Sequence, residues 1–303
     1  MGKTRNERHE YINMKRTVCL LLLAIMLLSL ASCGEKEETT INLTDYKIMT
    51  SFYPVYVAVL NVTDGAKNVT VTNLIDGETG CLHDYMFTTK DRERIDNGVD
   101  LFAASGKGME AFVGNVSLGI PGLAVLDCGE DIRDIDEDSD TENPHYWMSI
   151  ANAMEQCDKI KRNLVRLNPQ NAEVFEKNAT EYIEKLNALK EETRAVVDGL
   201  SSKKLVVYHD SFDYFADEFG LDITTVTENT DEKKYASAIE KTGCIFVQES
   251  LAKSAEFKKI VRDTDCEVYV IDTLTTGEIN ENSKDAYIEA VRKNNALLAE
   301  VLG

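Results

Sequence analysis

Pro169 opens a run that continues to Asp198 without another proline or a glycine, and Val174, Tyr182, Leu186, Leu189 and Val196 recur along it near helical spacing. About 28 such residues at ~1.5 Å each make a rod of roughly 40 Å. By itself such a run is best read as one more surface helix; its flanks make it a constraint. Before it, short strand-like apolar runs (Tyr46–Thr50, Val69–Leu74, Leu101–Ala104, Leu123–Leu126) alternate with helix-compatible stretches around Val55–Thr63, Thr89–Asn97 and Met109–Asn115. After it come Leu205–Tyr208, Ile223–Val226, Ile245–Val247 and Val268–Ile271, with helices near Phe212–Phe219, Lys233–Thr242, Ala252–Thr264 and Lys284–Leu302. Strand-helix alternation implies parallel sheets flanked by helices. The expected fold class is therefore α/β. Two Rossmann-like lobes, residues 47–167 and 201–303, are joined by a long rigid helix across 168–200, with a ligand cleft between them.

The first 32 residues have a different composition. Lys15 and Arg16 precede an apolar run from Thr17 to Leu30, and Leu30-Ala31-Ser32-Cys33 follows. This is the order of a signal peptide: charged start, apolar middle, small residues at the cut. The run is shorter than the ~20 residues a membrane-spanning helix needs. Met14 would serve as a start as well as Met1. Leu-Ala-Ser-Cys resembles the lipobox of bacterial lipoproteins, which implies a lipid on Cys33 and a tether over 33–46. The alternative is a soluble secreted protein cut near Ser32.

The chain carries 33 Lys and Arg against 53 Asp and Glu, a net charge of −20. That field repels phosphate backbones, so nucleic acid is excluded as a natural partner. Export permits disulfides. With Cys19 cleaved and Cys33 lipidated, Cys81, Cys128, Cys157, Cys244 and Cys266 remain. Cys244 and Cys266 each start a strand-like run and are one candidate pair; Cys81 and Cys128 are another; free buried thiols are equally compatible. Asp127–Glu142 holds nine acidic residues and one arginine, the pattern of a solvated loop. Its alternating Asp134, Asp136, Asp138 and Asp140 imitate a calcium loop. Ser139 stands where glycine is required, and His145 where a bidentate glutamate is, so an EF-hand is rejected. A weak cation-gathering role stays open. Gly106-Lys107-Gly108 is too short to cradle phosphate and reads as a strand-to-helix turn.

Histidine is scarce, with four in the chain. His9 precedes the signal. His83 and His145 follow strand-like runs in the first half, and His209 directly ends one in the second. Ligands of open parallel sheets bind beyond the carboxyl ends of strands, so these three can face one another across the cleft. Asp272, ending Val268-Tyr-Val-Ile-Asp, completes a set of four. A lone histidine is more often a satisfied surface residue than a ligand; three of four in aromatic-flanked loops change that balance.

At these segments a resemblance becomes specific, and it covers essentially residues 47–303. His83-Asp84-Tyr85 with Thr89-Lys90-Asp91 resembles the Pro-His-Asp-Tyr-(Glu)-Pro-(Thr)-x-x-Asp segment of the zinc and manganese substrate-binding lipoproteins of ABC importers. Asn143-Pro144-His145-Tyr146-Trp147 is similar to their Asp-Pro-His-x-Trp, and Tyr208-His209-Asp210-Ser211-Phe212 to their third motif, whose histidine is glutamate in manganese-binding relatives. Ile271-Asp272-Thr273-Leu274 is similar to their Asp-Pro-Leu ending. Leu82 replaces the first proline, Met148-Ser149-Ile150 departs after the second motif, and the acidic run occupies the place of a His-rich loop. The resemblance implies a monomeric, non-enzymatic receptor. It would be lipid-anchored on the outer face of a bacterial membrane, handing a metal ion to an ABC permease and its ATPase. Three imidazoles and one carboxylate at His83, His145, His209 and Asp272 suit tetrahedral Zn2+ better than Mn2+. Alternatives are a manganese receptor, a zinc-dependent hydrolase using an open fourth position, and an adhesin-like surface lipoprotein engaged in cell adhesion with a structural metal.

Overall fold

A computed structural model describes Met14 and residues 45–75, 85–116, 119–135 and 142–303. The signal segment, Cys33, Cys81, His83, Asp84 and the middle of the acidic run lie outside the described residues.

Each half carries a four-stranded, all-parallel sheet. The first has the order β2-β1-β3-β4, with β1 Tyr46–Thr50, β2 Val69–Asn73, β3 Leu101–Ala104 and β4 Ala124–Asp127. The second repeats it as β6-β5-β7-β8, with β5 Lys204–Tyr208, β6 Asp222–Val226, β7 Cys244–Gln248 and β8 Glu267–Ile271. Inner strands are covered on both faces, so β3 and β7 are buried at every residue and show no alternation. At the edges, β2 alternates between half-buried and exposed positions, and β8 leaves Val268 and Val270 exposed.

The first helix, α1 (Tyr53–Thr63), has Pro54 in its opening turn, where a missing N–H costs nothing, and buries nine of its eleven residues. Short helices α2 (Thr89–Asp96) and α3 (Val113–Val116) complete the first half. Two long antiparallel helices follow: α4 (Ile150–Leu167) and α5 (Ala172–Asp198), the latter 27 residues. On α5, Phe175, Ala179, Tyr182, Leu186, Leu189, Thr193 and Val197 are buried, one stripe at steps of three and four. The expected rod is present, and α4 and α1 pack on it. The second half adds α6 (Asp213–Phe219), α7 (Glu232–Thr242), α8 (Glu249–Ala252), α9 (Ala255–Thr264) and α10 (Ala286–Leu302). Helix α10 also lies on α5, where Asn295 donates to the Thr193 hydroxyl across a buried contact (2.8 Å).

Some elements differ from the sequence reading. No element was expected at α4, although Ile150, Ala153, Cys157, Ile160 and Leu164 trace a helical stripe. The stretch 109–115 is shorter as a helix because residues 105–110 form a tight turn: the Ser105 and Gly106 amides donate to the Glu110 carboxylate (2.8 and 3.0 Å). Gly106 has φ +85°, and a Cβ there would lie 1.7 Å from Asp127 Oδ1. That turn is the one anticipated at Gly106-Lys107-Gly108. The stretch 252–264 divides at Ser254, whose hydroxyl caps α9.

Among the described residues, Cys128, Cys157, Cys244 and Cys266 are all unbridged thiols. The proposed Cys244–Cys266 bridge fails on register. Cys244 pairs with Glu267, so Cys266 is one residue out of step and faces the other side of the sheet. Cys244 belongs to the main core, and Cys266 packs against a separate cluster that includes Val206, Ile245, Val247, Phe257 and Ile260. Among the described residues, no helix is long and apolar enough to cross a membrane.

Candidate metal centre

Strand β5 ends at Tyr208, and His209 still donates its amide to the Val226 carbonyl of β6 (2.8 Å). The chain then turns at φ +81°, ψ 150° on His209 itself. That region is almost restricted to glycine, and a side chain there costs about 1–3 kcal/mol. A short 3-10 turn, Asp210–Phe212, leads directly into α6, with Ser211 and Phe212 fully buried. Packing on both sides holds the strained residue in place.

His145 reaches the cleft from the other half without strain. It has φ −83° and is 3% exposed. Its amide donates to Asn143 Oδ1 (2.9 Å), and the segment continues as a 3-10 turn over Tyr146–Met148. The next two side chains anchor it. Tyr146 donates its hydroxyl to the Ser105 carbonyl (2.9 Å) and accepts from Gln156 (2.7 Å). Trp147 is fully buried, lies edge-on to Phe52, and donates Nε1–H to the Thr273 carbonyl beyond β8 (3.0 Å). The Tyr287 hydroxyl of α10 donates to the Trp147 carbonyl (2.8 Å). An N-terminal loop is thereby bolted to the C-terminal lobe at the point where it presents its imidazole.

The two rings meet at a centroid distance of 5.0 Å, nearly perpendicular. Asp210 Oδ1 lies 2.9 Å from His209 Nδ1 and 3.4 Å from His145 Nδ1. One ligating atom from each of His145, His209 and Asp210 falls within 4.8 Å of the others. Atoms bound at ~2.0–2.1 Å to one tetrahedral ion stand roughly 3.3 Å apart, so three ligating atoms within 4.8 Å need only a small shift of their side chains to share a cation. Asp272 is not in that group. It directly follows β8, exchanges both backbone hydrogen bonds with the Asn294 side chain (2.8 and 2.7 Å), and accepts from the Leu274 amide (2.9 Å). Its neighbour Thr273 accepts from Trp147, two residues after His145. His83 lies outside the described residues; the far end of its segment is held where Tyr85 donates to Asp91 (2.9 Å), which also caps α2 with Thr88. Sequence reasoning did not assign Asp210, since neighbouring side chains of an extended chain point apart. The positive φ at His209 is what brings the two together.

The surroundings are acidic. Burial, with Asp210 nearby, lifts Asp213 to about 6, against the opposing hydrogen bond from Thr225. Lys107 contacts the acidic run at two points, donating to the Ile132 carbonyl (2.9 Å) and standing 3.6 Å from Glu142. Tyr214 of α6 reaches Asp134 (3.3 Å) from the other lobe.

Two parallel α/β lobes joined by a long helix, with side chains from both converging in the cleft, define the class of substrate-binding proteins that carry a helical connector. The family model described as "Zinc-uptake complex component A periplasmic" matches residues 48–301, and the chain belongs to that family, one of substrate-binding proteins rather than enzymes. It is 30% identical over 225 residues to the zinc-binding lipoprotein AdcA of Streptococcus pneumoniae, covering 68% of this chain and 43% of that one; it thus spans less than half the length of that relative. It is 25% identical over 307 residues to the high-affinity zinc uptake system protein ZnuA of Bacillus subtilis (91% and 94% covered). It is also 25% identical over 219 residues to the manganese-binding lipoprotein MntA of Halalkalibacterium halodurans (71% and 72%). Among solved structures, the Zn(II)-bound ZnuA-like domain of pneumococcal AdcA superposes with a TM-score of 0.71 at 24% identity, covering 85% of this chain and 99% of that one. The nickel complex of FpvC from P. aeruginosa gives 0.72 at 23% (86% and 97%). These structural likenesses speak for the fold. Nothing in the comparisons supports an adhesive role.

Proposed function

We propose that this protein is the extracytoplasmic receptor of an ABC importer, capturing Zn2+ in the cleft and delivering it to the permease and its ATPase. The observation that carries the reading is the meeting of His145 and His209, from different lobes, with ring centroids 5.0 Å apart. Neutral imidazoles are strong ligands for zinc. The full set is His145, His209 and His83, with a carboxylate from Asp272 or Asp210. The lobes of the receptor are 47–167 and 201–303, with 168–200 between them, and a lipid on Cys33 holds it at the membrane as a monomer. The zinc relatives AdcA and ZnuA support the cargo.

The carboxylate Asp210 beside both rings favours a second reading, manganese, a harder ion that prefers oxygen ligands. Competitive titration of metal-stripped protein with Zn2+ and Mn2+ against a chromophoric chelator decides between them. One tight zinc per chain, displacing manganese, supports the receptor reading; manganese preference replaces it with the second; no tight site overturns both.

A further inference from the structure

We propose that Asn143 is a positioning residue that sets the tautomer of His145 and ties it to the opposite lobe. Two backbone groups with a single possible role each fix which way its amide points. The His145 N–H can only donate, so the Asn143 atom 2.9 Å away is oxygen. The Asp210 carbonyl can only accept, so the atom 3.1 Å from it is the amide nitrogen. The same Asn143 oxygen lies 3.0 Å from His145 Nδ1. Nδ1 therefore carries the proton in the neutral ring, and the lone pair that can ligate a cation sits on Nε2. Asp210 Oδ1 is the competing acceptor, but at 3.4 Å it is beyond ordinary N–H···O length, and it lies closer to His209 Nδ1, at 2.9 Å.

The tie across the cleft needs an amide. The motif that this segment resembles has aspartate here, which would accept from His145 equally well but has no hydrogen to give the Asp210 carbonyl. Asn143 thus joins the relaxed histidine segment to the strained one through a bond of its own, besides any shared ion. The inference rests on His145 being a cargo ligand only for its effect on affinity; the tautomer itself exists without metal.

The test is the imidazole 15N spectrum of metal-free protein near pH 8, together with Zn2+ affinity by chelator competition. Wild type gives one His145 species protonated at Nδ1. Asn143→Ala mixes in the Nε2–H form, raising its share about fivefold, and weakens Zn2+ binding about tenfold, as loss of an orienting partner does. Asn143→Asp, which retains the acceptor, restores the single tautomer. If the alanine variant does not fold, Asn143→Leu, of similar shape, replaces it. An unchanged Nδ1–H species in Asn143→Ala, unchanged Zn2+ affinity there, or no restoration in Asn143→Asp overturns the proposal. Wild-type protein that shows the tautomer pattern but binds no Zn2+ overturns the receptor reading and leaves the tautomer assignment standing.

Discussion

His145 and His209 arrive at the same point by opposite means. His145 has a relaxed backbone and almost no exposure, and is aimed by the packing of Tyr146 and Trp147 beside it. His209 has a side chain about one-fifth exposed and is aimed by a backbone angle that its own side chain disfavours. One segment is organised by burial of its neighbours; the other holds strain at the site, which persists because β5 and the buried Phe212 on either side leave it no alternative. The contrast teaches that a symmetric pair of ligands need not have symmetric energetics.

Metal affinity should treat the two alike, and this is the largest effect expected. His145→Ala and His209→Ala should each weaken Zn2+ binding by at least about a hundredfold, more than the 10- to 100-fold typical of losing an outer partner. Chelator competition reads it. A loss confined to one of them would mean that the two rings do not share an ion.

Stability should then separate the segments. Trp147→Ala removes the anchor of the relaxed segment and should cost about 3–5 kcal/mol in urea denaturation, with the Thr273 carbonyl left unpaired in addition. A cost below 1 kcal/mol would show that His145 is not aimed by packing.

Asp213, just after the strained segment, supplies a pH test on metal-free protein. Its carboxyl is raised from 3.8 to about 6, first by burial. A raised carboxyl favours folding fully below its unfolded value of 3.8, and that contribution is lost as pH rises through about 6. Asp213→Asn, whose side-chain oxygen can still accept from Thr225, should be more stable than wild type at pH 7–8 by on the order of 1–2 kcal/mol. The difference should vanish below about pH 4. A stability difference that stays constant from pH 4 to 8 would count against it.

The smallest effect is the most specific to the comparison. At position 209, with φ +81°, glycine should be more stable than alanine by about 1 kcal/mol. At position 145, with φ −83°, the order should reverse by about 0.5–1 kcal/mol. The same sign at both positions would remove the claim of strain at His209.

Much of the fold was legible because parallel, doubly covered strands are short apolar runs, and their helices have a clear period. All eight strand-like runs correspond to strands, with every end within one residue. Helix α4 is the element the sequence reading lacks, although Ile150, Ala153, Cys157, Ile160 and Leu164 trace its buried stripe. In sequence the acidic run reads as a solvated loop with a weak cation-gathering role left open; in the structure Lys107 holds the Ile132 carbonyl and Tyr214 reaches Asp134 within it. Local composition cannot reveal a buried lysine 25 residues away in sequence from the carbonyl it holds.

By itself, the sequence determined the alternation of strands and helices, the uninterrupted rod between two halves, and the presence of histidines at strand ends in each. These follow from local periodicity, which depends on near neighbours. The tertiary structure decided what requires distant partners: that Cys244 and Cys266 face opposite sides of their sheet, that Asp210 stands beside both rings, and that His209 turns through a left-handed φ. Side-chain direction at such places is set by sheet register and by packing between residues as far apart in the chain as Trp147 and Thr273. A strained angle survives only where those long-range contacts outweigh its local cost.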